Sequence, residues 1–227
     1  MLIQDDDNVL LFNKPYKWTS FDVVHKIRNT LKIKRIGHAG TLDPLATGLL
    51  IICTGKMTRS IHMFQDMEKE YTGTLVLGYV TASYDLETAV TGSFPTEQIT
   101  PDLIRETASL FTGVIEQTPP AHSAVKVGGK RSYALARKGK TPELKSRKVH
   151  VNRFEITSID MPRIQFLVTC SKGTYIRSLA HDFGKALGSG AYLEVLCRTR
   201  IGHYRLADAY EIEAFVSASG KAGTAGT

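Results

Sequence analysis

Apolar and polar positions alternate along the chain in short runs that mark strands and helices in irregular order. "VLLFNKPYKW" opens as an apolar strand over Val9–Phe12 and breaks at Lys14-Pro15. "TSFDVVHKIRNTLK" then has the helical period. Thr19 followed by Asp22 resembles a capping box, and Phe21, Val24, Ile27 and Leu31 are predicted to share one face. Gly37–Gly48 reads as loop, "LLIICTG" as a buried strand, and "EYTGTLVLGYV" as a half-buried strand alternating from Tyr71 to Tyr79. "TPDLIRETASLFTG" is a punctuated helix, with Thr100 as N-cap, Pro101 at the first position and Gly113 beyond the end. "VHVNRFEITSI" and "IQFLVTC" read as paired strands. "GTYIRSLAHDFGKALG" returns to helix, with Ile176, Leu179, Ala180, Phe183 and Leu187 on one stripe and Gly188 as stop. Without a regular βαβ beat, the expected class is α+β, a mixed, largely antiparallel sheet with flanking helices. There is no internal repeat, and the small, polar "SASGKAGTAGT" predicts a disordered tail over 217–227.

Composition narrows the setting more than the fold. At 227 residues the chain can bury a real core. Its 42% hydrophobic and 22% charged residues are ordinary for a globular protein. No apolar run approaches the roughly 18 residues of a membrane span. The N-terminus "MLIQDDDNVL" is acidic where a secretory signal is basic and then apolar. Three cysteines without CxxC spacing argue against a disulfide framework or a zinc site, and for a cytoplasmic protein with reduced thiols.

Charge adds a partner. The net charge is +7, and Lys126–Arg153 holds ten Lys/Arg against the single acid Glu143. That density favours a polyanion, and Tyr133 inside it is placed to stack on a base. A second run, His25–His38, has five Lys/Arg and no acid, but alone it reads more simply as solvated surface.

Candidate chemistry centres on "GHAGTLDPLATGLL", Gly37–Leu50. Asp43 precedes a proline, so on spacing alone it is first a turn former. No second carboxylate, His-x-x-x-His or Cys pair stands near it in sequence, so paired-acid hydrolysis and metal binding have no support. The glycines fit neither a P-loop nor a dinucleotide fingerprint. Taken singly, His38 reads as structural, Tyr71 as core and Arg177 as surface. The residues themselves lead to a basic α+β protein that binds RNA or DNA.

The same stretch resembles the signature loop of the TruB-type tRNA pseudouridine synthases. Further resemblances follow in chain order: "NKPYKWTSFDVV", "KEYTGTLVLG", "QTPPAHSAVKVGGKRSYALARKG" and "CSKGTYIRSLAHDFGKALGSGAYLEVLCRTRIG", covering about Val9 to Arg205. The resemblance implies isomerisation of uridine 55 in the TΨC arm of tRNA by a monomer, with no metal or cofactor. It makes Asp43 the catalytic aspartate, Tyr71 the aromatic against the flipped uracil, and Arg177 the ion-pair partner of Asp43. Lys14, His38 and Tyr175 become pocket or RNA-contacting residues. Lys126, Lys130, Arg131, Tyr133 and Arg137 fall in an RNA-binding insertion around 121–153 of one catalytic domain over 1–216. Two features depart from the family's pattern. His122 stands where an aromatic is common, and the roughly twenty residues after Arg205 leave no room for the C-terminal RNA-binding domain of many members.

Overall fold

The computed structural model describes residues 7–123, 125–136, 139 and 144–221. In chain order it begins with β1 (Val9–Lys14), α1 (Ser20–Leu31), β2 (Ile36–His38), β3 (Thr47–Thr54), a 3-10 turn (Gly55–Ser60) and α2 (Ile61–Asp66). β4 (Lys69–Leu77), β5 (Tyr79–Thr81), β6 (Val90–Ser93), α3 (Pro101–Leu110) and β7 (Gly113–Gln117) follow. Next are β8 (Lys126–Val127), β9 (Lys130–Arg131), α4 (Ser132–Ala136), β10 (Arg147–Asp160), β11 (Arg163–Cys170) and α5 (Ile176–Ala186). The last are β12 (Ala191–Ile201), β13 (Tyr204–Arg205), β14 (Tyr210–Glu211) and α6 (Ile212–Lys221). The elements form two units, one from the chain up to Tyr71 together with Leu196 onward, the other from Thr72–Val195. Strand pairing is mixed and mostly antiparallel, so the class is α+β, as the sequence predicts.

In the first unit β3 is the central strand. β1 runs antiparallel along it from Val9 opposite Cys53 to Lys14 opposite Gly48, and β14 lies parallel on the outer side of β1. β2 pairs with the far end of β3, His38 opposite Ile52, while β12 runs parallel to its start, Arg198 opposite Gly48. Both faces of β3 are covered. Leu50 and Ile52 pack with Phe12, Val23, Val24 and Ile27, joined by Ile212 and Phe215 of α6; Leu49, Ile51 and Cys53 pack with Ala39, Phe64 and Ile201. A strand buried on two faces needs an unbroken apolar run, which is what "LLIIC" supplies.

In the second unit β10 pairs antiparallel with β11 and β7. Phe111, Phe154, Phe166 and Phe183 meet edge to face, the Phe154 and Phe183 centroids 5.3 Å apart, and fasten α5 to these strands. All five stripe residues of α5 are buried, and Gly188 beyond its end takes φ 69°.

Three expectations need correction. Phe21 is 63% exposed; the buried face of α1 is Val23, Val24 and Ile27, because β1 and β3 meet the helix on that side. Gly37 and His38, expected at the start of the Gly37–Gly48 loop, belong instead to the short strand β2, which is too brief to show a period. The expected disordered tail begins too early: Ile212 and Phe215 anchor α6, which continues through Ser217 to Lys221. Among the described residues no helix is long and apolar enough to cross a membrane.

Candidate active site

The loop between β2 and β3 presents Asp43 at the head of a tight turn. The Ala46 N–H reaches the Asp43 carbonyl at 3.1 Å, and Pro44 in the second position suits the geometry. The loop is fixed on several sides. Leu42 is buried and its N–H donates to Ser20 Oγ, in the first turn of α1, at 2.9 Å. The Ala39 N–H meets Ile51 O at 2.9 Å, and the Lys17 N–H meets Pro44 O at 2.8 Å.

Two buried cations support this turn. Lys14, at the end of β1, is fully buried, and Nζ donates to Trp18 O at 2.6 Å, Pro15 O at 3.0 Å and Pro44 O at 3.2 Å. Its three protons are thereby used on backbone carbonyls, so Lys14 braces the Asp43 turn. Burial pushes its ammonium down to about 8; the charge of Asp43 opposes this, and that of Arg198 adds to it. Arg198, on β12, is equally buried. It donates through Nε to Leu49 O at 2.8 Å and through Nη2 to Gly40 O at 3.2 Å. Gly48 lets the two strands approach: at φ 104°, a Cβ there would lie 2.4 Å from the Arg198 carbonyl oxygen. His38 is half-buried on β2, and burial holds its imidazole below the ordinary value. Tyr71 is buried on β4.

The second unit fixes Arg177 equally firmly. Arg177 lies in the first turn of α5, 3% exposed, with Nη1 donating to Ser83 O at 3.1 Å and Nη2 to His122 O at 3.0 Å. Nε stands 3.6 Å from Asp85 Oδ2. The segment carrying Asp85 is cross-bonded by its own hydroxyls. Thr81 Oγ1 donates to Asp85 O at 2.7 Å, and the Thr88 N–H donates to Ser83 Oγ at 3.1 Å. Tyr84, at φ 64°, stacks on His181, one turn beyond Arg177, with ring centroids 3.8 Å apart. Burial pushes the His181 imidazole down to about 4. Tyr175 precedes α5. The amide of buried Gln117 brackets its backbone, accepting from the Tyr175 N–H at 2.7 Å and donating to its carbonyl at 3.0 Å. The Arg147 guanidinium lies 4.8 Å from the Tyr175 ring centre and donates to Gly173 O.

In the basic insertion, Lys126, Lys130 and Arg131 fall on the β8–β9 hairpin, and Tyr133 is exposed on α4. Arg137 lies outside the described residues. Cys53, Cys170 and Cys197 form no disulfide, and among the described residues no three His, Cys, Asp or Glu gather where they could hold a metal ion. The sequence reading missed Arg198, Asp85 and Gln117. Arg198 had a signal, since it follows buried Leu196 by two positions and so keeps the inward phase of its strand.

Comparison with known proteins gives first a class. Residues 28–176 match the family model described as TruB family pseudouridylate synthase (N terminal domain), so the chain is a pseudouridine synthase. Curated relatives narrow this. The chain is 54% identical to tRNA pseudouridine synthase B of Flavobacterium johnsoniae, over 92% of this chain and 95% of that one. It is 53% identical to the protein of the same name from Phocaeicola vulgatus, over 92% of each. The chain belongs to the TruB family. Among solved structures it is similar to one chain of a Cbf5-Nop10-Gar1 complex (28% identity, TM-score 0.76), covering 98% of this chain and 57% of that one. It is similar also to one in an H/ACA RNP bound to a substrate RNA containing 2'-deoxyuridine (27%, TM-score 0.70), covering 93% and 53%. The chain thus spans little more than half the length of these structural neighbours.

Proposed function

We propose that this synthase acts on tRNA, converting uridine 55 of the TΨC arm to pseudouridine with the base flipped out of its stack into a pocket around Asp43. The names of the curated relatives support tRNA as the substrate, and the signature loop supports the position. The reaction breaks the C1′–N1 bond, turns the uracil and joins C1′ to C5; the C5 proton leaves to solvent and N1 takes one up. Extruding the base costs about a few kcal/mol, offset by stacking and hydrogen bonds in the pocket.

The observation that carries this reading is Asp43 itself, a carboxylate on a rigid turn braced by two buried cations, Lys14 and Arg198. Asp43 attacks C1′, or starts glycal formation at the sugar, and both roles need it ionised. A nearby positive charge favours the ionised form, against the desolvation that accompanies base entry. Tyr71 takes the role of the aromatic against the uracil, beside the proton to be lost. Arg177 has an electrostatic role, keeping the catalytic carboxylate charged, and its own anchoring on Ser83, His122 and Asp85 supplies the rigidity this needs. His38, Tyr175 and the Lys126–Arg153 run contact the RNA.

The test uses a TΨC stem-loop carrying tritium at uridine C5. Tritium released to water with pseudouridine left in the RNA supports the reading. Binding without release identifies a non-catalytic RNA-binding protein and overturns it.

A further inference from the structure

The His25–His38 basic run looked like plain surface in the sequence, but the fold gathers part of it around a concavity. Helix α1 closes at Lys32, which takes the left-handed conformation (φ 54°) and bonds its N–H to Arg28 O. The chain turns there, and the Gly55 N–H fastens Arg35 O to the end of β3 at 2.9 Å. The result is a cavity of about 480 Å³ with Lys32, Lys34, Arg35 and Lys56 on its wall, all four exposed. Four cations brought together from two segments repel one another, so the arrangement favours an anion between them.

Part of that place is taken by a carboxylate of the chain itself. Asp7 accepts the Lys56 N–H at 2.6 Å and stands 3.4 Å from Lys56 Nζ. The backbone and side chain of Lys56, with Arg35 behind them, hold the Asp7 carboxyl below its ordinary value. Among the described residues on the cavity wall, one carboxylate stands with four cations. A backbone N–H and an ammonium converging on the same anionic group are also how proteins hold a phosphate.

We propose that this cavity is a second RNA-phosphate site, in which the substrate's backbone displaces Asp7; the proposal rests on the reading that the substrate is a structured RNA. β3 separates the cavity from the catalytic loop, with the Asp43 turn before Thr47 and the cavity beyond Thr54. Seven strand steps at about 3.3 Å put them roughly 23 Å apart along β3. A flipped nucleotide at Asp43 therefore leaves this site to phosphates well outside the loop, in the body of the tRNA. The site selects whole tRNA over an isolated hairpin and reads no base.

Affinities of the full chain are measured for a whole tRNA transcript and for a minimal TΨC hairpin, across a range of salt. The variants are Lys32→Gln/Lys34→Gln/Lys56→Gln and Asp7→Asn, with thermal melting as the check on folding. The triple variant weakens binding of the whole transcript about tenfold and lowers the magnitude of its log–log salt slope by about two, while hairpin binding stays at the wild-type value. Asp7→Asn changes whole-transcript binding in the opposite direction, tightening it. Equal losses on both RNAs, no loss on either, or an Asp7→Asn variant that binds no tighter would each overturn the proposal. Tritium release by the wild type on the hairpin is scored separately, so failure of the catalytic reading is distinguishable from failure of this site.

Discussion

Lys14 gives all three ammonium protons to backbone carbonyls, and burial still brings its value from 10.5 to about 8. Between those limits the unfolded chain holds more protons than the folded one, so this residue makes stability rise with pH across the window. The full effect is on the order of 3 kcal/mol. We predict that urea unfolding at pH 7.5, 9 and 10.5 shows this rise in the wild type relative to Lys14→Met. Parallel curves would mean that the ammonium is not the buried titrating group. His181 acts in the same sense in another range. Its folded value of about 4 lies below the ordinary 6.5, so stability falls as pH drops from 6.5 toward 4. His181→Phe keeps a ring against Tyr84 and is predicted to lose less stability over that interval; an identical acid loss would exclude His181 as its source. Arg177 is tested through its effect on Asp43. On the role proposed for it, Arg177→Ala should move the acidic limb of the pH–rate profile upward, since removing a cation that favours an ionised carboxylate lets that carboxylate hold its proton longer. An unmoved limb would remove Arg177 from that role.

Among the elements, the loop that carries Asp43 depends on the approach of β3 and β12. Gly48→Ala adds a Cβ 2.4 Å from the Arg198 carbonyl oxygen at a positive φ, so both strands must shift. We predict a loss of more than about 2 kcal/mol, read as a lowered melting temperature. A variant as stable as the wild type would show that the close packing is not required. Elements with local punctuation were legible in sequence. The capping box of α1 is formed, Thr19 Oγ1 accepting from the Asp22 N–H at 3.1 Å while Asp22 Oδ2 accepts from the Thr19 N–H at 2.8 Å. α3 begins at Pro101 behind Thr100, and the stripe of α5 is buried throughout. What escaped depends on distant partners. β2 exists because β3 offers it an edge, and the helix at the end of the chain holds because Phe215 packs on Phe12, centroids 5.0 Å apart. The candidate site divides in the same way. Asp43, Tyr71 and Arg177 enter the candidate site by resemblance, as does Lys14 as a pocket or RNA-contacting residue, but nothing near Lys14 in sequence reveals that its ammonium ends on Trp18 and Pro44 carbonyls. Arg198 and Asp85 act on residues far from them in the chain, which local pattern does not show.

For the whole molecule the governing quantity is charge. A net +7, with ten Lys/Arg in Lys126–Arg153, predicts RNA binding that weakens steeply with salt, because each phosphate contact releases a counterion. Neutralising Lys130, Arg131, Arg137 and Lys138 together should flatten the log–log slope by up to about 3, at about 0.7 per contact on single strands. An unchanged slope would reduce that run to solvated surface. Charge brings the RNA to the protein, but the chemistry is assigned to one carboxylate, and the variant that removes only its charge is Asp43→Asn. The decisive measurement is tritium release from uridine C5 of the TΨC stem-loop by this variant, with affinity determined on the same samples. The account predicts no release and unchanged affinity, since gripping the RNA does not need the negative charge whereas attack at the sugar does. Release near the wild-type rate, or loss of binding in step with activity, would contradict it.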